Sequence, residues 1–211
     1  MYVCIDAGHG GPDAGVCGHG AVEKWIAGEV AARAGEMLHT AGCLVFFTRI
    51  GDRKVSLPQR VQAAQETGAD LFLSLHCAQS PWSAQRGVGL FYPRGDGRSQ
   101  AWADMVLRAA EARLNGRTIA RGARPVPWQH RSGGFALLRA VRHQMPACLI
   151  ELGFVSNALD AWLLQERFFL DALARGITTA ALAWRQQLEQ PLTAPEAPRG
   201  RGGETRAPWE R

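Results

Sequence analysis

Four residues whose side chains can do chemistry stand at the ends of regular segments. His9 lies in the glycine-dense stretch Asp6-Ala7-Gly8-His9-Gly10-Gly11-Pro12-Asp13-Ala14-Gly15, directly after the apolar run Tyr2–Asp6. His76 follows Phe72-Leu73-Ser74-Leu75, and Glu151 emerges from Leu149-Ile150. Glu23 opens a segment with helical periodicity. Taken singly, each has a plain structural explanation. A loop histidine has many uses, a carboxylate in an apolar run can be paired with an arginine, and an acid in a first helical turn suits the helix dipole. Taken together, two histidines and a glutamate make up the His2Glu donor set of catalytic zinc, which leaves one coordination position for water. A further glutamate can then act as general base toward that water and general acid toward a leaving amine. No HExxH motif fixes the geometry locally, and the phosphate-loop patterns GxGxxG and GxxxxGK[ST] are absent.

The fold must therefore bring distant residues together. Tyr2–Asp6, Cys43–Thr48, Leu71–Leu75, Val88–Tyr92 and Ala147–Leu152 read as strands. Between them lie helical patterns: one from about Glu23 carrying Ile26, Val30, Ala34, Met37 and Leu38, one over Leu57–Thr67, and one marked by Trp102, Met105, Val106, Ala109 and Leu114. A long C-terminal helix carries Phe169, Leu173, Ile177, Ala181, Trp184 and Leu188. This alternation predicts an α/β fold, a twisted, mixed, mostly parallel sheet of about six strands with helices on both faces. Ligands bind at the carboxyl ends of strands in such sheets, so His9 and His76 occupy equivalent places. The stretch Arg121–Ala140, with Gly133-Gly134, is expected to wall the groove. Trp128 and His130 within it are candidates for substrate contact or members of a mobile polar loop.

The 211 residues suit one domain over 1–190 with a tail over 191–211. That tail holds four prolines, three glycines and four arginines against three glutamates, and only Leu192 and Trp209 as large apolar residues, which predicts flexibility. No apolar run reaches the roughly 18 residues that span a bilayer, and no secretory leader precedes the first strand. Net charge is +5, but its arginines are scattered, which argues against a nucleic-acid footprint. Five cysteines without CxxC spacing argue against a disulfide framework; Cys4, Cys43 and Cys148 sit in apolar runs as small hydrophobes. The 24 glycines exceed ordinary usage, and Gly8, Gly10, Gly11 and Gly15 would let the His9 loop turn tightly.

At these residues the chain resembles the zinc-dependent N-acetylmuramoyl-L-alanine amidases of the Amidase_3 type, which cut peptidoglycan. The resemblance rests on Ile5–Gly15, Glu23-Lys24, Phe47-Thr48-Arg49 to Asp52, Ser56–Arg60, Ala69–His76 and Ile150-Glu151-Leu152-Gly153-Phe154-Val155-Ser156-Asn157, in order through about residues 2–188. It implies one Zn2+ per chain on His9, Glu23 and His76, with Glu151 as the catalytic acid/base. It implies peptidoglycan as substrate, cleaved between the muramoyl lactyl group and L-alanine, by a monomer acting outside the cytoplasmic membrane. Without a leader, phage-type release or an omitted upstream segment would be needed. Two features depart from the family pattern. Cys77-Ala78 follows His76 where the family commonly places Asn two positions on, so an amide hydrogen bond is lost but no metal ligand. Only 74 residues separate His76 from Glu151, too few for the inserted helix that blocks the site in some members. Cys77 has three readings, a buried thiol, a zinc ligand in place of a histidine and a redox-sensitive neighbour; adjacent strand residues point to opposite faces, which favours the buried thiol. A zinc peptidase on another wall peptide or small amide, and an inactive wall-binding module, are the rival functions.

Overall fold

Val3 to Ala7 are all buried, so the first strand, Tyr2–Ala7 (β1), has to lie inside a sheet covered on both faces. In the computed structural model, which describes residues 1–127 and 133–189, it does so. A two-residue hairpin, Cys17–Gly18 (β2) with Ala21–Val22 (β3), leads into helix Glu23–Thr40 (α1). There follow Leu44–Phe47 (β4), Leu57–Glu66 (α2), Leu71–Ala78 (β5), Val88–Tyr92 (β6), Gly97–Leu114 (α3) and Ala120–Pro125 (β7). Gly133–Val141 (α4), Ala147–Phe154 (β8), Ala158–Leu163 (α5) and Arg167–Glu189 (α6) complete the described chain.

The main sheet has six strands in the order β4-β1-β5-β8-β6-β7. The first four run parallel, β6 is antiparallel to β8, and β7 parallels β6. On one face Val3, Ile5, Leu73, Leu75, Cys148 and Ile150 pack against α1, α3 and α6. On the other, Cys4, Phe72 and Leu149 pack against α2 and α4. Strand alternation therefore carries Phe72, Ser74 and His76 along the second face, with Leu149 and Glu151 on β8 in step.

One layer below the strand ends, the wholly buried carboxylate of Asp6 ties the elements together. It accepts from Thr48 Oγ1 after β4, from Arg60 Nη1 of α2 (2.7 Å) and from Ser74 Oγ of β5 (2.7 Å). Burial opposes its ionisation, but the Arg60 guanidinium and the Thr48 hydroxyl outweigh that cost and hold the carboxyl below its usual range. Helix α2 is aimed by a capping box, Ser56 with Gln59, in which Ser56 N–H donates to Gln59 Oε1 at 2.9 Å.

The mixed sheet with helices on both faces agrees with the sequence expectation. Strands β5 and β8 run past their expected ends, to Ala78 and Phe154. The sixth main-sheet strand, β7, helices α4 and α5 and the β2–β3 hairpin add to the elements that the sequence pattern marks. Ala120–Pro125 reads Ala-Arg-Gly-Ala-Arg-Pro, without apolar alternation and with proline at its end, as suits an edge strand that pairs on one side. Trp128, His130 and residues 191–211 lie outside the described residues. Among those described, no helix is long and apolar enough to cross a membrane.

Candidate active site

His9 sits where the chain leaves β1, with φ at +59°, a conformation costly for a residue with a side chain. Its neighbours enforce it. Arg60 Nη2 donates to the His9 carbonyl, and Arg49 donates to the carbonyls of Ala7 (3.2 Å), Gly8 (3.1 Å) and Lys24 (3.1 Å). The loop closes through reciprocal backbone hydrogen bonds between Gly10 and Asp13. Its glycines do more than permit the turn. A Cβ on Gly8 would lie 2.4 Å from the His76 ring, and one on Gly15 would lie 2.4 Å from Glu23 Oε2. Both positions must lack a side chain for the site to close.

Glu23 is the first residue of α1 and only 1% exposed. Its Oε1 accepts from the Cys77 backbone N–H at 2.9 Å and lies 2.8 Å from His76 Nδ1. Its Oε2 accepts from the Val16 N–H at 2.7 Å and lies 3.0 Å from His9 Nε2. Burial would raise this carboxyl, but the hydrogen bonds from the two histidines hold it down at about 2. His9 Nδ1 lies 2.9 Å from both carboxylate oxygens of Asp13, so that acid orients the ring with Nε2 toward Glu23. The His9 pKa is raised, first by its hydrogen bond to Glu23 and, against burial, by Asp13 as well. Ligand atoms of His9, Glu23 and His76 all fall within 4.8 Å of one another. Two imidazoles and one buried carboxylate converging in this way fit the donor chemistry of a zinc site.

Glu151 faces the same space from β8, directly opposite His76 in the β5–β8 register. Burial pushes its carboxyl above the usual range, against the pull of Arg121 and His76. All four residues expected from sequence thus line one open cleft of about 650 Å³. Val55 and Leu57 also line it, as do Gly133, Gly134, Phe135 and Leu137 of α4, so part of the expected wall does border the groove. Gly134 packs tightly against the site: a Cβ there would lie 2.6 Å from Leu149 Cδ1 and 3.1 Å from His76 Nε2.

Cys77 is buried, and that burial raises its thiol well above the usual range. Its side chain belongs to the α1/α6 core, on the face away from the His76 ring, as alternation predicts. Sequence reading did not single out Asp13, Asp6, Arg49 or Arg60 for a role. Asp13 alone carried a local signal, standing four residues after His9 in a turn.

A profile of the N-acetylmuramoyl-L-alanine amidase family, Amidase_3, matches residues 3–183. The chain is 32% identical to N-acetylmuramoyl-L-alanine amidase CwlM of Bacillus licheniformis, over 83% of this chain and 65% of that protein. It is 29% identical to amidase LytC of Bacillus subtilis (strain 168), over 86% of this chain and 35% of that protein. The chain thus spans about a third of LytC and just under two thirds of CwlM. Among solved structures, the catalytic domain of the amidase CwlV from Bacillus (Paenibacillus) polymyxa var. colistinus superposes with a TM-score of 0.77 at 28% identity, over 88% of this chain and 98% of that one. With the matched segment running from β1 into α6 and holding all four cleft residues, the chain belongs to the N-acetylmuramoyl-L-alanine amidase family.

Proposed function

We propose that this chain is a zinc-dependent N-acetylmuramoyl-L-alanine amidase, hydrolysing the amide between the muramoyl lactyl group and L-alanine of peptidoglycan. The observation that carries this reading is the convergence of His9, Glu23 and His76 with Glu151 one strand away on the same rung. His9, Glu23 and His76 would hold the zinc, one ion per chain. When bound, zinc supplies a Lewis acid that polarises the scissile carbonyl and lowers the pKa of water. Asp13 fixes the His9 ring through Nδ1. Glu151 accepts the proton of the water that attacks the lactyl carbonyl. It returns that proton to the alanine nitrogen as the C–N bond breaks. A carboxyl raised by burial suits both halves of this shuttle, because the same group must take and release a proton near neutral pH.

One chain carries the full set, so a monomer suffices. The substrate places the enzyme's action outside the cytoplasmic membrane, in the periplasm or wall. Zinc analysis and peptide release from purified sacculi test the assignment of roles. Wild type should bind one zinc and release peptide. Glu151→Gln should keep the zinc and lose at least about a hundredfold in rate, the usual scale for a lost general acid/base. Full activity in Glu151→Gln would remove Glu151 from the chemistry.

A further inference from the structure

The rung that holds His76 and Glu151 continues across the sheet. Glu151 on β8 stands opposite Gly89 on β6, and Gly89 stands beside Arg121 on β7. A Cβ on Gly89 would lie 3.5 Å from Arg121 Cβ and 4.0 Å from Glu151 Oε2. No side chain therefore separates the Glu151 carboxylate from the Arg121 stem. The register shift between Val88 and Leu90, taken up at Gly122, brings Arg121 to this place.

The Arg121 guanidinium is held by uncharged groups. It lies 4.5 Å from the centre of the Phe154 ring, which it covers, and in the amide orientation that satisfies both ends of Gln85 the amide oxygen accepts from Nη2 (2.8 Å) and Nη1 (3.2 Å). Arg124, exposed on the same strand, donates from Nη2 to the Arg121 carbonyl at 2.8 Å. Neither arginine belongs to any ion pair among the described residues. Two guanidinium groups outside any ion pair thus rise from β7, two strands beyond β8 of the acid/base and about 10 Å from it, backbone to backbone, by ordinary strand spacing. An extended peptide covers that distance in about three residues.

We propose that Arg121, supported by Arg124, is a carboxylate subsite that reads a free carboxylate on the second or third residue of the stem peptide. A guanidinium has five N–H donors, so Arg121 keeps donors beyond those facing Gln85, and two of them can meet both oxygens of a carboxylate, where a carboxamide offers one oxygen and no charge. The subsite rests on the amidase reading for its substrate, but its chemistry can be tested apart from turnover.

The probes are N-acetylmuramoyl tripeptides bearing either a carboxylate or a carboxamide at the second and at the third residue, together with the corresponding free peptides. Zinc-loaded wild type should favour the acid form at one of these positions by about tenfold in kcat/KM. Arg121→Gln should bring that ratio close to one, while Arg121→Lys, which keeps the charge and loses the fork, should retain part of it. An effect transmitted only through Glu151 would change both forms alike and leave the ratio intact. Calorimetric titration of the free peptides should show the same preference and the same loss in Arg121→Gln. Equal handling of acid and amide by wild type, or an unchanged ratio in Arg121→Gln, overturns the proposal. Should wild type hydrolyse neither form yet bind the acid peptide through Arg121, the subsite stands and the amidase reading falls.

Discussion

Glu23 illustrates how one residue's position decides its role. As the first residue of a helix it satisfies the dipole, and sequence alone makes that the simpler explanation. In the folded chain it is almost wholly buried, takes two backbone N–H groups and faces two imidazoles. Such a carboxylate is far too costly for capping alone. Asp13 acts one step further out, through the far nitrogen of His9. Asp13→Asn should weaken zinc affinity about ten- to a hundredfold, the usual effect of losing a carboxylate that orients a metal-bound imidazole. Competition against a chromogenic chelator measures it, and an unchanged affinity would leave Asp13 a mere loop residue. The four cleft residues could be named from sequence because each has a chemically marked type beside or inside a run of apolar residues, or at a helix start. The arginines could not, since 22 of them are scattered through a chain whose surface uses the same residue.

Elements meet at Asp6, which joins β1 to the residue that follows β4, to the middle of β5 and to the first turn of α2. Asp6→Asn would leave Arg60 buried without its partner, and the expected loss is about 3–5 kcal/mol in chemical unfolding. The pH dependence has a definite sign. The folded pKa lies below the unfolded value of about 3.9, so this contribution is present above that pH and is lost as pH falls through the folded pKa. The stability difference between wild type and Asp6→Asn should therefore shrink below about pH 4 and stay level above it. A difference that stayed constant down to acid unfolding would mean the ion pair does not set it. Element order was legible because buried parallel strands leave continuous apolar runs. Strand β7 and helix α4 were not: one is an arginine-rich edge strand, the other a short helix opening on Gly133-Gly134. Helix α4 lines the cleft and β7 lies two strands from Glu151, so elements weakly marked in the sequence flank the site.

At the scale of the molecule, the helices of one face support α1 and hence Glu23, while those of the other complete the cleft. Zinc would bind only the folded arrangement, since its donors lie 14 and 53 residues apart along the chain. Free zinc at a thousandfold above Kd should therefore add about 4 kcal/mol to stability. For a chain of this length that corresponds to a rise in Tm of about 10 °C over the chelated protein. Calorimetric scans with and without chelator measure it, and coincident transitions would argue that no preformed site exists. The most direct measurement for the account as a whole is mass spectrometry of purified peptidoglycan digested by the zinc-loaded chain. The geometry predicts intact stem peptides with a new L-alanine amino terminus and glycan strands with free lactyl carboxylates. Cleavage within the stem peptide, with L-alanine still joined to muramic acid, would contradict it.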